Sequence, residues 1–120
     1  MSELRGLQLR ASDFESAGAK LVAISVDSVE QNRGVVQRLG LGFPVLSDPE
    51  LVAIDAFGLR HRGGYPLAEP PATGDIARPA TYVISGSTIR WRDLTENYRV
   101  RVDPTRVIDA IRQTLAADAR

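Results

Sequence analysis

A single α/β domain, built as a mixed sheet with flanking helices, is the fold class this 120-residue chain predicts. Three observations carry that expectation. Lys20–Asp27 is a near-continuous apolar run of strand length, as in a strand covered on both faces. A capping-box spacing, Ser28-Val29-Glu30-Gln31, follows it at once and starts a helix. Ala80–Ser85 and Thr88–Asp93 are two β-rich segments separated by Gly86-Ser87, and an amphipathic helix closes the chain. A strand–helix–strand crossover, an antiparallel pair and a closing helix together bury their apolar sides in a layered sheet.

The elements follow in order. Leu4, Leu7, Ala11, Phe14 and Ala17 recur at helical spacing, and Gly18 is a natural stop. The helix opened at Val29 turns Val35, Val36 and Leu39 to one side and ends at Gly40. Phe43–Leu46 is a short extended piece whose Pro44 favours an edge. Asp48 caps a short helix, with Pro49 in its first turn and Leu51–Phe57 as its body, stopped by Gly58. Residues 59–77 hold Gly63-Gly64, Pro66, Pro70-Pro71 and Gly74 without periodicity, and so predict a long loop. Gly86 suits the first position of a type II′ turn. Alternation then places Ile89 and Trp91 on one face of the second strand, with Arg90 and Arg92 on the other. Asp103-Pro104 opens the last helix, whose Val107, Ile108, Ile111 and Leu115 form an apolar stripe.

Composition narrows the function. Fifteen basic and fifteen acidic side chains cancel, which argues against a general nucleic-acid or anionic-membrane binder. Two local clusters, Arg60-His61-Arg62 and Arg90, Arg92, Arg99 and Arg101, read as solvated surface charge. No apolar run approaches the roughly 20 residues of a membrane helix, and the first residues lack the apolar centre of a secretion signal, so the expected compartment is the cytoplasm. The chain has no cysteine and one histidine, His61. It therefore offers no disulfide, thiolate metal site or redox thiol, and no metal or cofactor is expected.

Four segments in this order carry a resemblance: KLVAISVD (Lys20–Asp27), FPVLSDPE (Phe43–Glu50), RPATYVIS (Arg78–Ser85) and DPTRVIDAIRQTL (Asp103–Leu115). Together they resemble the alkyl hydroperoxide reductase/thiol-specific antioxidant branch of the peroxiredoxins. Asn97-Tyr98, with Arg99 and Arg101, is similar to the close of a peroxiredoxin-like subgroup. The resemblance implies a thioredoxin-like fold, truncated at its N-terminus. In relatives the stretch like SELRGLQ (Ser2–Gln8) follows a central strand and a turn that carries the peroxidatic cysteine. It also implies thiol-dependent reduction of hydroperoxides, with thiol reductants as partners. That chemistry begins with thiolate attack on the O–O bond, and no side chain here replaces the thiolate, so the chain as it stands has no catalytic residue and is expected to be inactive.

Two site residues are carried over. Pro79 stands where thioredoxin-like proteins hold a cis-proline before the strand that faces the active site; a trans proline opening a strand is the alternative. Arg78 is the nearest candidate for the arginine that polarises the peroxide, one residue earlier than the family pattern places it. The resemblance further implies that a central strand between Lys20–Asp27 and Ala80–Ser85 is absent. Those two strands then close on each other, pair with another copy of the chain in a homo-oligomer, or receive the strand from a longer protein. Three functional readings follow. The chain belongs to a thiol-dependent peroxidase, is a non-catalytic thioredoxin-fold binding or assembly module, or is an unrelated small α/β binding domain.

Overall fold

The computed structural model describes residues 2–69, 73–94 and 103–119. Eleven elements follow in chain order: α1 (Ser2–Leu9), α2 (Ala11–Ser16), β1 (Ala23–Ser25), α3 (Val29–Leu39), β2 (Val45–Ser47), α4 (Val52–Ala56), β3 (Arg60–His61), β4 (Ile76–Ala77), β5 (Ala80–Ser85), β6 (Thr88–Leu94) and α5 (Pro104–Asp118). Their hydrogen bonds form three separate ladders. β1 and β2 pair in parallel, with Ile24 opposite Leu46; β3 and β4 pair antiparallel, as do β5 and β6.

One face of these strands is closed by helices. Phe14 of α2, 1% exposed, packs with Val83 of β5 and with Val107, Ile108 and Ile111 of α5. Val35 of α3 forms a second cluster with Leu41 and Phe43, against which Leu4, Ala23 and Val45 pack. Leu7 and Leu21 touch both clusters and join them. Helix-period apolar residues thus meet every second residue of the strands, the expected layer arrangement.

Several local expectations hold. The Ser28 hydroxyl accepts from the Gln31 amide at 3.1 Å, and the Gln31 side chain accepts from the Ser28 amide at 2.9 Å. Gly40 ends α3 in the left-handed region, at φ 62°. Gly86 takes φ 62° between Ser85 and its partner Thr88, and Ser87 is not among the positive-φ residues, which fits a type II′ turn. Asp103 caps α5 by accepting from the Thr105 amide at 2.9 Å.

Other expectations are corrected. The first helix is two, broken at Arg10, which leaves helical geometry at φ −108°, ψ 10° while its guanidinium bonds Asp13 and Thr105. The strand expected over Lys20–Asp27 contracts to three residues, and its outward side is open. Asp48 does cap α4, through the amides of Val52 and Ile54 at 2.9 and 2.8 Å, but the helix begins only at Val52. Pro49 lies in the preceding turn, and Leu51 bridges at φ 57°. Residues 59–77 are not a plain loop, since β3 and β4 close them into a ribbon.

The hairpin also departs from simple alternation. A bulge shifts the register between Val83–Trp91 and Ile84–Ile89 and leaves Arg90 as the extra residue. Trp91 therefore faces α5 with Val83, and Arg90 joins it there by pairing with Asp118. Ile89 shares the outward face with Ile84. In α5 the buried stripe runs Val107, Ile108, Ala110, Ile111 and Thr114, whereas Leu115 is half exposed. Thr114 fits because its hydroxyl donates back to the Ala110 carbonyl at 2.9 Å.

Candidate functional site

The strand edges come first. The Ala23 amide donates to the Pro44 carbonyl, and the Asp48 amide to the Ser25 carbonyl, so Ala23 and Ser25 point their backbone groups at β2. By the alternation of a strand, the N–H and C=O of Ile24 point the other way. Ser85 and Thr88 flank the two-residue turn and bond each other, which turns Ala80, Tyr82 and Ile84 away from β6. Neither set meets a strand among the described residues. Of the three outcomes expected for the two apolar strands, the first, that they close on each other, is therefore not met. Both edges stand over one core, since Leu21 packs against the cluster that holds Val83, yet no ladder joins β1 to β5. The intervening edge stays open because Phe14, Leu21 and Val83 already fill the floor beneath it, and collapse would have to displace them.

Outward from this opening lies an apolar face. Ile24 is 46% exposed and Ile84 54%, and Val22, Leu46, Ile89 and Leu94 are also exposed. The ring of Phe57 covers only part of it, 4.9 Å from the ring of Tyr82.

Arg78 and Pro79 enter β5 at one end of the open edge. The Arg78 amide donates to the Leu59 carbonyl at 2.7 Å, which ties the start of β5 to the residue before β3. Its side chain is exposed and forms no ion pair with another described residue; Pro79 is half-buried. Beside them sits a charged clamp. The Arg60 guanidinium bridges Asp55, at the end of α4, and Asp75, just before β4. The Asp75 side chain, 7% exposed, also accepts from the Gly63 amide at 2.9 Å. That backbone bond, followed by Arg60, holds the Asp75 carboxyl below the ordinary value of 3.8; the bond from Arg60 lowers Asp55 in the same way, and the two carboxylates push Arg60 upward. Gly74 sits at φ 76° against the Tyr65 carbonyl and admits no Cβ there. The clamp thus fixes the ribbon that supports Arg78.

A polar cluster closes the other side. Asn32, 2% exposed, accepts from the Ser25 hydroxyl at 3.0 Å and bonds the Ser47 hydroxyl and the Leu46 carbonyl. It locks the C-terminal ends of β1 and β2 together. Sequence reasoning passed over it because an Asn within a helix ordinarily faces water; its only signal was a polar residue one turn before Val35 and Val36. Asn97, Tyr98, Arg99 and Arg101 lie outside the described residues. The described residues hold no group of three or more metal-ligating side chains.

Residues 1–92 match the model of the AhpC/TSA family. The chain belongs to that family. Among solved structures, the fold is similar to that of reduced Prx3 of Vibrio vulnificus in complex with H2O2, with TM-score 0.77 and 13% identity over 91% of this chain and 66% of that one. Peroxidoxin BcpB of Mycobacterium tuberculosis gives TM-score 0.75 at 17% identity, over 92% and 68%. A cysteine-to-serine mutant of peroxiredoxin 6 of Arenicola marina gives 0.72 at 18%, over 99% and 56%. These likenesses establish the thioredoxin-like α/β fold. The chain spans less than two thirds of the length of the Vibrio and Arenicola proteins. No protein of curated function matches it in sequence.

Proposed function

We propose that these 120 residues are the thiol-free part of a peroxiredoxin-type scaffold, one that supports thiol-dependent reduction of hydroperoxides only once a strand and a thiolate are supplied to it. The observation that carries this reading is the open edge between β1 and β5 in a chain of the AhpC/TSA family that has no cysteine. Peroxide reduction needs a sulfur nucleophile whose oxidation to the sulfenic acid accepts one peroxide oxygen. A Met thioether cannot form the thiolate, and the chain has no cysteine. Arg78 and Pro79 supply the side that receives substrate. Arg78 precedes β5 at the end of the open edge, and its guanidinium would polarise an O–O bond there, while Pro79 would shape the backbone before β5. The completed enzyme would draw on a thiol reductant and work in the cytoplasm, and the open edges give the chain a place to associate with another polypeptide, including a further copy of itself.

The direct test is peroxide consumption with dithiothreitol or thioredoxin as donor. The purified 120-residue chain is expected to consume no hydroperoxide above the buffer rate. Turnover that persists after removal of contaminating peroxidases would overturn the reading. The second reading, a binding or assembly module without catalysis, is favoured by the same open edge, and it predicts that no thiol-bearing segment restores turnover.

A further inference from the structure

The last turn of α5 is held from outside the helix. We propose that Asp118 latches this turn onto the β5–β6 hairpin, and that the turn detaches as a unit, with the rest of the fold intact, when the latch is broken. The latch needs neither a thiolate nor an added strand, so it stands apart from the chemistry proposed above.

The packing shows why a latch is needed. The buried stripe of α5 ends at Thr114, and residues 115–119 are all exposed. Burial therefore does little to keep them on the sheet. Leu115 alone reaches back, toward Gly18. The helix end does not help either. Asp118 faces the negative end of the helix dipole, and no basic residue accompanies it in the last turn.

What remains is the Asp118 carboxylate, whose two oxygens take separate donors. Oδ2 accepts from the Ser85 hydroxyl at 2.8 Å, and Oδ1 from the Arg90 guanidinium. Ser85 is the last residue of β5, and Arg90 lies in β6. The bulge makes the second bond possible, because it turns Arg90 to the helix side. Among the described residues Arg90 is the charged group that faces Asp118, and Ser85 is the neutral one. The dipole alone would raise the carboxyl, whereas Arg90 and then the Ser85 hydroxyl hold it below the ordinary 3.8. The side chains of Arg90 and Asp118 remain 30% and 37% exposed, so water and salt screen the pair and leave the latch releasable.

Release acts on a groove of about 190 Å³ between β6 and α5, lined by Arg90, Trp91, Ala110, Gln113, Thr114 and Ala117. Arg90 is part of the latch and Ala117 part of the latched turn. Opening therefore removes one end of the groove and bares more of the Trp91 indole.

The test uses the full chain at neutral pH and compares it with Asp118→Asn by NMR. Amide protection at residues 117–119 should fall roughly five- to tenfold, as a part-exposed charged pair with its hydrogen bond implies. The Cα shifts of that turn should move toward coil, while those of Ile111 keep helical values. A turn held by the helix alone gives the opposite sign, because Asn removes an unfavourable charge from the helix end. Arg90→Gln should act in the same direction, and the double variant should lose less than the two single losses combined. Trp91 is the only tryptophan, so acrylamide should quench its fluorescence more readily in each variant. The latch is stable above the free carboxyl value and is lost as pH falls through the lowered one. Protection of the turn should thus decline below about 3.8 in the parent chain and stay level in Asp118→Asn. Unchanged or raised protection in Asp118→Asn, fully additive losses in the double variant, or a loss of helical shifts that reaches Ile111 would overturn the proposal.

Discussion

Neighbouring residues of the same strands meet opposite surroundings. Val83 is sealed beneath α2 and α5, while Ile84, the next residue along β5, is 54% exposed. Ala23 packs against the α3 cluster, while Ile24 is open. The inward face is buried as a protein core is, and the outward face has the composition of one without the cover. The strands are thus written for burial on two sides, and the described helices satisfy chiefly one. Stability should therefore reside almost wholly in the inward face, whereas association should be governed by the outward face and its edges.

The largest expected effect lies deep in the inward face. Phe14→Ala should cost about 3–5 kcal/mol by removing a ring that joins α2, α5 and β5. In a domain of this size such a loss takes most of the stability, so chemical denaturation should show a midpoint collapse or no folded baseline. Ile108→Ala, on the same face, should cost about 2–5 kcal/mol, whereas Ile84→Ala on the outward face should stay within roughly 0.5 kcal/mol, since it removes little buried area. Equal losses at Ile108 and Ile84 would break the comparison and imply that the outward face is covered in solution.

Asn32→Leu tests the polar lock on the inward side. It strands the Ser25 and Ser47 hydroxyls and removes the second bond of the Leu46 carbonyl, which the β1–β2 ladder also holds, and should cost about 1–3 kcal/mol in a urea melt. Asn32→Asp should be no gentler, because it places a buried carboxylate against the Leu46 carbonyl.

The smallest effect belongs to the Arg60 clamp. Asp55 and Asp75 have carboxyls held below 3.8 in the folded chain. Groups lowered in this way stabilise the fold above their unfolded value and lose that contribution as pH falls through the lowered one. The thermal midpoint should therefore fall as pH drops from about 4.5 through 3.8 and below. In Asp75→Asn, which keeps an acceptor for the Gly63 amide but removes the charge, that fall should be shallower. An identical acid profile in the variant would mean that the clamp does not hold the ribbon.

Much of the fold was legible in the sequence because its signals are local. The Ser28–Gln31 box, Gly40, the Gly86 turn and the Asp103-Pro104 helix start are each written within a few residues, and each appears where expected. The bulge at Arg90 was not legible, because nothing in TIRWRDL marks the extra residue; only the pairing with β5 and the bond from Arg90 to Asp118 reveal it. The Arg60 clamp joins residues five and fifteen positions away and closes a segment rich in glycine and proline, so local pattern read it as a loop. Of the candidate site, the position of Arg78 and Pro79 at the head of β5 was readable, whereas the support from Leu59 and the clamp depends on tertiary contacts. The open edge could be suspected from resemblance alone, yet whether β1 and β5 would close on each other was a question only the ladder pattern could answer.

Residue-resolved amide hydrogen exchange tests the central claim most directly, because the open scaffold is a statement about individual N–H groups. The account predicts an alternating pattern along β5: Val83 and Ser85, bonded to β6, exchange slowly, while Tyr82 and Ile84, on the open edge, exchange much faster, as does Ile24 relative to Ala23. Protection of Tyr82 and Ile84 equal to that of Val83 would show a paired edge and contradict the open scaffold.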